Sequence, residues 1–221
     1  MTSTSPNPTP PVAERIRALV LDARAHDVAR ARDGLADPDP AVRSAALGAL
    51  AGAGQLGESV LRRAFADAAP AVRRRAAELS ARVDGEGIAA HLTTLLHDDE
   101  PLVAEAAAWA LGERGTGYGG VGAAELAGLM TTAGAHGAAI VREAAVAALG
   151  ALGDPAALPV IIDAIADVVT VRRRAVIALA PYDGPAVHAA LARARSDRDW
   201  QVRNAAEDLY ALISAPEVER P

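Results

Sequence analysis

The dipeptide Val-Arg occurs at Val42-Arg43, Val72-Arg73, Val141-Arg142, Val171-Arg172 and Val202-Arg203, and a further valine, Val103, followed by Ala104, falls in the one wide gap. Successive valines are then 30, 31, 38, 30 and 31 residues apart. A period in this range restricts the chain to an array of short supersecondary units, because no such unit can bury its apolar face alone. Four residues after the valines stand Ala46, Ala76, Ala107, Ala145, Ala175 and Ala206. Eight after stand Leu50, Ser80, Leu111, Leu149, Leu179 and Tyr210. Offsets 0, 4 and 8 share one face of a helix, so each unit has a helix B whose buried stripe starts at the valine. Ahead of it lies another apolar stretch, such as residues 87–97 and 155–166, giving helix A, a tight turn and helix B.

Composition supports this reading. Hydrophobic residues make up 51% of the 221 residues and aromatics only 3%, alanine supplying most of the difference. Such a core suits helices that approach closely over small side chains, and alanine is the best helix former. There are no cysteines, which excludes disulfides and thiolate chemistry. The net charge of −6 argues against nucleic acid as a partner. Residues 1–11 lack the charged and apolar stretches of a signal peptide and are expected to form a disordered tail. No apolar run is long enough to span a bilayer, so a cytoplasmic protein without membrane contact is expected.

The turns before helix B carry their own pattern. Five residues ahead of the valine stand Asp37, Asp67, Asp98, His136, Ala166 and Asp197, with Asp167 one place late. Pro40, Pro70 and Pro101 sit two residues ahead, where a first helical turn tolerates proline. Asp39 and Asp199 are placed as caps. The motif Asp-x-x-Pro-x-Val-Arg followed by an alanine-rich helix resembles the HEAT-repeat family, and the period of about thirty is similar to its short PBS-lyase type. The resemblance implies an all-α, right-handed solenoid of about six repeats. It also implies that each Val-Arg arginine pairs with the aspartate preceding it, giving a structural ladder of Asp37, Arg43, Asp67, Arg73, Asp98, Arg142, Arg172, Asp197 and Arg203.

The solenoid is expected over residues 12–213, with units near 25–54, 55–85, 86–115, 121–153, 154–183 and 184–213, followed by a tail, 214–221. A glycine-rich insertion at 115–120, containing Tyr118, accounts for the wide gap. A shift of 99 residues superposes the first three units on the last three and aligns Arg73-Arg74-Arg75 with Arg172-Arg173-Arg174. This points to duplication of a three-unit block. Gly112, Gly150 and Gly153 are expected to mark helix ends.

Offsets +2 and +6 lie opposite the buried valine. They nominate Arg74, Glu78, Glu105, Trp109, Glu143, Arg173 and Ile177 as partner-binding residues on a concave face. Trp109 either faces that groove or packs under the 115–120 loop, whereas Trp200 is expected to cap the end of the core. The histidines His26, His91, His97, His136 and His188 lack metal-ligand spacing. The His-Glu pairs that HEAT-like deoxyhypusine hydroxylases carry at offsets +2 and +3 are absent, so neither catalysis nor a cofactor or metal is expected. The reading is a non-catalytic scaffold for a protein or peptide partner. Its alternatives are an accessory subunit of the PBS-lyase type that handles a tetrapyrrole or other cofactor, and a nucleic-acid-binding HEAT-like protein.

Overall fold

A computed structural model describes residues 9–25, 27–115 and 120–214, and among these every regular element is helical. The chain divides into two compact units, residues 1–79 and 80–221. The division falls at the end of a helix B, not at the glycine-rich segment where the repeat spacing widens. Tyr118 and His26 lie outside the described residues. No described helix is long and apolar enough to cross a membrane.

The first unit holds α1 (Val12–Arg24), α2 (Ala29–Gly34), α3 (Pro40–Gly52), α4 (Glu58–Ala64) and α5 (Pro70–Ser80) up to its last residue, Ser80, which belongs to the second unit. The start of α3 shows how each helix B begins. Asp39 Oδ1 accepts the Ala41 N–H at 2.8 Å, and Pro40 opens the helix at a position whose N–H has no intrahelical acceptor. Val42, Ala46 and Leu50 then face inward. Helix α1 packs on α3 and serves as a B helix ahead of the first Val-Arg unit. Its Arg15 Nη2 lies 3.4 Å from Asp37 Oδ1.

The second unit holds α6 (Ile88–Leu95), α7 (Pro101–Gly115), α8 (Ala123–Ala135), α9 (Ala139–Leu152), α10 (Leu158–Asp163), α11 (Val169–Ala178), α12 (Pro185–Ala194) and α13 (Trp200–Ser214). The B helices α7, α9, α11 and α13 pack in sequence as one layer, while α6, α8 and α10 follow one another in the other. Small residues allow the close approach. A Cβ on Gly112 of α7 would lie 2.9 Å from Ala148 Cα of α9, and one on Gly150 of α9 would lie 2.7 Å from Ala178 Cα of α11. Gly112 and Gly150 are therefore helix-contact positions rather than helix ends. Gly153 does end α9, in the left-handed region at φ 64°.

The ladder along the turns runs in the direction opposite to the one the resemblance implies. Arg43 donates Nη1 to the carbonyls of Asp37 and Pro38, at 2.9 and 3.1 Å, in its own turn. Its Nε and Nη2 grip the carboxylate of Asp67 in the following turn, at 2.8 and 2.7 Å. Arg142 holds Asp167 in this way at 2.7 and 2.6 Å, and Arg172 holds Asp197 at 2.8 and 2.9 Å. The preceding aspartate contributes its backbone carbonyl, not its carboxylate. The planar fork of arginine suits this two-sided task, which a lysine ammonium would not fill. Asp167 joins the ladder despite its late position, behind the 3-10 turn Ala164–Ala166. Arg73 donates to the carbonyls of Asp67 and Ala68, and Asp98 Oδ1 accepts the Glu100 N–H. Arg203 donates to the carbonyls of Asp197 and Arg198.

Forward pairing explains two departures from the sequence pattern at once. Ala104 stands where the third unit should have its arginine, and His136 stands where the fourth should have its aspartate. Under forward pairing these two positions belong to the same rung. With no guanidinium to meet, position 136 need only satisfy its own turn, and His136 Nδ1 accepts the Ala138 N–H at 3.1 Å as an aspartate would.

The arginines hold the carboxyls of Asp67, Asp167 and Asp197 below the usual carboxylate range, chiefly through these hydrogen bonds. Side chains of the Arg172–Asp197 rung are only 6% and 12% exposed. A carboxyl whose folded pKa is depressed adds stability above its unfolded pKa of about 3.9, and that stability is lost as pH falls through the folded value. Asp197→Asn is thus expected to cost about 1–2 kcal/mol at pH 7. It should also flatten the acid limb of a stability–pH curve below about pH 4. An acid limb identical to that of the unaltered protein would show that the rung contributes nothing.

Candidate binding groove on the second unit

Helix α7 is buried on all sides but one. Val103, Ala104, Ala106, Ala107, Ala108, Ala110, Leu111 and Gly112 are inside, while Leu102, Glu105, Trp109 and Glu113 form a stripe open to solvent. Trp109 is 42% exposed. The stripe faces Ile140, Glu143, Ala144, Ala147 and Ala151 of α9 across a depression of about 530 Å³, with Arg174 of α11 on its far wall. A narrower depression of about 160 Å³ shares Glu143 and Arg174 with it and continues to Arg173, Ile177 and Gln201. A third, of about 520 Å³, shares Arg173, Ile177 and Gln201 and adds Trp200, Asp208 and Leu212 of α13. Shared walls make these one groove crossing four successive B helices.

The groove brings together Glu105, Trp109, Glu143, Arg173 and Ile177 of the residues nominated from the sequence. Arg74 and Glu78 lie on α5 of the first unit, where Arg74 Nε is 2.9 Å from Glu78 Oε1 and Arg75 Nη1 is 3.2 Å from Glu78 Oε2. Trp200 departs from expectation. It is 59% exposed and lines the groove instead of covering the core, because it sits on the outer side of the first turn of α13. Ile140 was missed in the sequence, and Arg174 stood there only as a member of an arginine triplet, not as a residue of the partner-binding face. Ile140 stands one residue before its valine, two helical turns from offset +6 and hence on the same open face. That spacing was available as a signal.

Charges along the groove are partly matched. Arg174 Nη2 lies 3.4 Å from Glu143 Oε1, and Arg173 Nη1 lies 3.4 Å from Gln201 Oε1. Glu105, half-buried beside Trp109, has no ion-pair partner among the described residues.

A second device lies behind the groove. Arg114, at the end of α7, is fully buried and donates Nη1 to the carbonyls of Ser80 and Val83 at 2.8 and 2.7 Å and Nη2 to that of Gly85 at 3.1 Å. Tyr182 occupies the same place relative to its valine, eleven residues on. Its hydroxyl meets the carbonyls of Leu149 and Asp154 at 3.3 and 3.1 Å, the corresponding positions of an earlier turn. Burial and the nearby Asp154 push the Tyr182 phenol up.

An all-helical array with repeating Val-Arg rungs is an α-solenoid. The family model for HEAT repeats matches residues 28–112, 57–133 and 126–211, and the chain belongs to the HEAT-repeat family. Among solved structures, it is similar to YibA of E. coli, with 16% identity over 94% of this chain and 77% of that one, at a TM-score of 0.64. An engineered protein is similar at 20% identity over 94% of this chain and 62% of that one, TM-score 0.59. A designed armadillo repeat protein, solved in complex with peptide (KR)4, is similar at 19% identity over 83% of this chain and 99% of that one, TM-score 0.55. These likenesses show the fold. No curated protein matches the sequence.

Proposed function

We propose that the protein is a non-catalytic interaction scaffold that holds a peptide, or an extended segment of a partner protein, along the groove over α7, α9, α11 and α13. The observation that carries this reading is the run of exposed apolar side chains, Trp109, Ile140, Ile177 and Trp200, along one continuous depression. Large apolar groups flanked by charges at the centre of a groove are the residue types that dominate binding energy at interfaces. The spacing suits an extended chain. Packed helix axes lie roughly 8–10 Å apart, about three residues of an extended strand at ~3.3 Å each, so a bound segment sets one anchor over each helix. A solenoid of this general fold, the designed armadillo protein, is known in complex with a peptide. The arginine pairs of the two triplets argue against nucleic acid, since Arg74, Arg75 and Arg174 each face a carboxylate.

Selection of binders from a phage-displayed peptide library tests the proposal. Trp109→Ala is expected to weaken the selected peptides by tenfold or more, with unfolding stability changed by less than about 1 kcal/mol because the side chain is half exposed. Peptides that bind Trp109→Ala and Ile177→Ala as tightly as the unaltered protein would sink the assignment to this groove.

A further inference from the structure

We infer that the groove takes a cationic segment, with an arginine or lysine side chain seated on the Trp109 ring beside Glu105. The inference rests on the scaffold reading and specifies the chemistry of its occupant. Glu105, Trp109 and Glu113 follow one another at four-residue steps along α7, about 6 Å apart in rise. Beside the indole the α7–α9 part of the groove sets two carboxylates, Glu105 and Glu143, against one guanidinium, Arg174, which Glu143 already engages. The surplus charge beside the indole is negative.

Three physical terms then favour the same occupant. The face of an indole carries negative charge density and attracts a cation within roughly 6 Å of its centre. The half-buried Glu105 carboxylate adds a direct Coulomb attraction that partial loss of water strengthens. The alanine floor, Ala144 and Ala147, leaves room for the methylene stem of arginine or lysine to lie flat. An acidic segment would meet like charge and the negative ring face. A purely apolar one would strip water from Glu105 without replacing it by a counter-charge, at a cost of several kcal/mol.

Among the described residues, the protein builds such a constellation from its own side chains. On α13 the guanidinium of Arg195 lies 4.6 Å from the centre of the Tyr210 ring while it pairs with the carboxylate of Glu207. Carboxylate and ring are three residues apart on that helix and four apart on α7, in both cases neighbours on one face. At Trp109 the matching ring and carboxylate are in place, and the bound segment would supply the cation.

The test follows the indole N–H resonance of Trp109 in the full chain, identified by its loss in Trp109→Phe, during titration with three octapeptides. One alternates Lys and Arg, one alternates Asp and Glu, and one alternates Leu and Gln. The Lys-Arg peptide is expected to shift the Trp109 resonance saturably and to bind at least tenfold more tightly than the other two. Glu105→Gln should weaken it five- to tenfold, whereas Glu58→Gln on α4, which removes the same net charge elsewhere, should weaken it less than twofold. Equal losses in Glu105→Gln and Glu58→Gln would reduce the effect to the overall field and overturn the inference. Tighter binding of the Asp-Glu or Leu-Gln peptide at Trp109 would overturn the cationic occupant and leave the scaffold reading standing. A Trp109 resonance unmoved by all three peptides also overturns it, while the library selection decides the scaffold reading by itself.

Discussion

Arg114→Met is expected to lower the stability of the second unit by about 3–5 kcal/mol, although Arg114 touches no part of the groove. Its guanidinium is fully buried and closes the turn after α5 by three hydrogen bonds to the carbonyls of Ser80, Val83 and Gly85. Methionine fills much of the same volume but donates nothing. The Ser80 carbonyl keeps the Val83 N–H at 3.2 Å, but the part-buried carbonyls of Val83 and Gly85 lose their charged donor, and each acceptor left unmet costs about 1–3 kcal/mol. Arg114→Lys should recover only part of the loss, because a single ammonium cannot serve all three acceptors in the guanidinium plane. Urea unfolding, read together with hydrogen exchange of the α7 amides, checks both variants. A loss below about 1 kcal/mol in Arg114→Met would mean that the turn is held by other contacts.

Gly150→Ala reverses the sign that helix propensity assigns to it. Replacing glycine by alanine inside a helix ordinarily gains about 1 kcal/mol. At Gly150 the new methyl would lie 2.6 Å from the Ala178 Cβ and 2.7 Å from its Cα, so α9 and α11 must separate. Overpacking of this kind costs about 1–3 kcal/mol, and contact with backbone, which cannot rotate away, puts the net loss at about 2–3 kcal/mol. Gly134 of α8 supplies the contrast, since nothing lies within 4 Å of a Cβ built there. Gly134→Ala should therefore gain up to about 1 kcal/mol. Thermal or urea midpoints that move in the same direction for both variants would remove close packing as the reason for the glycine. Separation of α9 from α11 would also widen the groove near Ile177, so Gly150→Ala should weaken the peptides selected for that face.

Helix B was legible because its signal repeats. Six valines with alanines four residues on leave one helical face to bury, and Val42, Val72, Val103, Val141, Val171 and Val202 are all inside. Helix A was less legible. The apolar stretch 155–166 reads as one helix, but around Pro159 it becomes the 3-10 turn Pro155–Ala157, the short α10 and the 3-10 turn Ala164–Ala166. Gly112 and Gly150 were misread because a glycine at a helix contact and one at a helix end look alike in one dimension. Trp200 was misread because burial of a residue in the first turn of α13 depends on what lies beyond it. The offset of Trp109 left two readings open, the groove or the underside of the 115–120 loop; its side chain is 42% exposed, and the depression beside it is made by α9.

Local periodicity by itself determined the repeat, the helix pairs, the buried stripe and the opposite, open stripe, because a helix of known pitch must turn its recurring apolar side chains inward. Tertiary structure alone decided which aspartate each arginine holds, which glycines let helices meet, and that Glu105, Trp109, Glu143, Arg173 and Ile177 share one groove. Each of these is settled by a surface on the neighbouring repeat. The partner of Arg43 lies 24 residues away and that of Arg172 lies 25 away. At that distance the side chain meets whatever the stacking of two units brings to it.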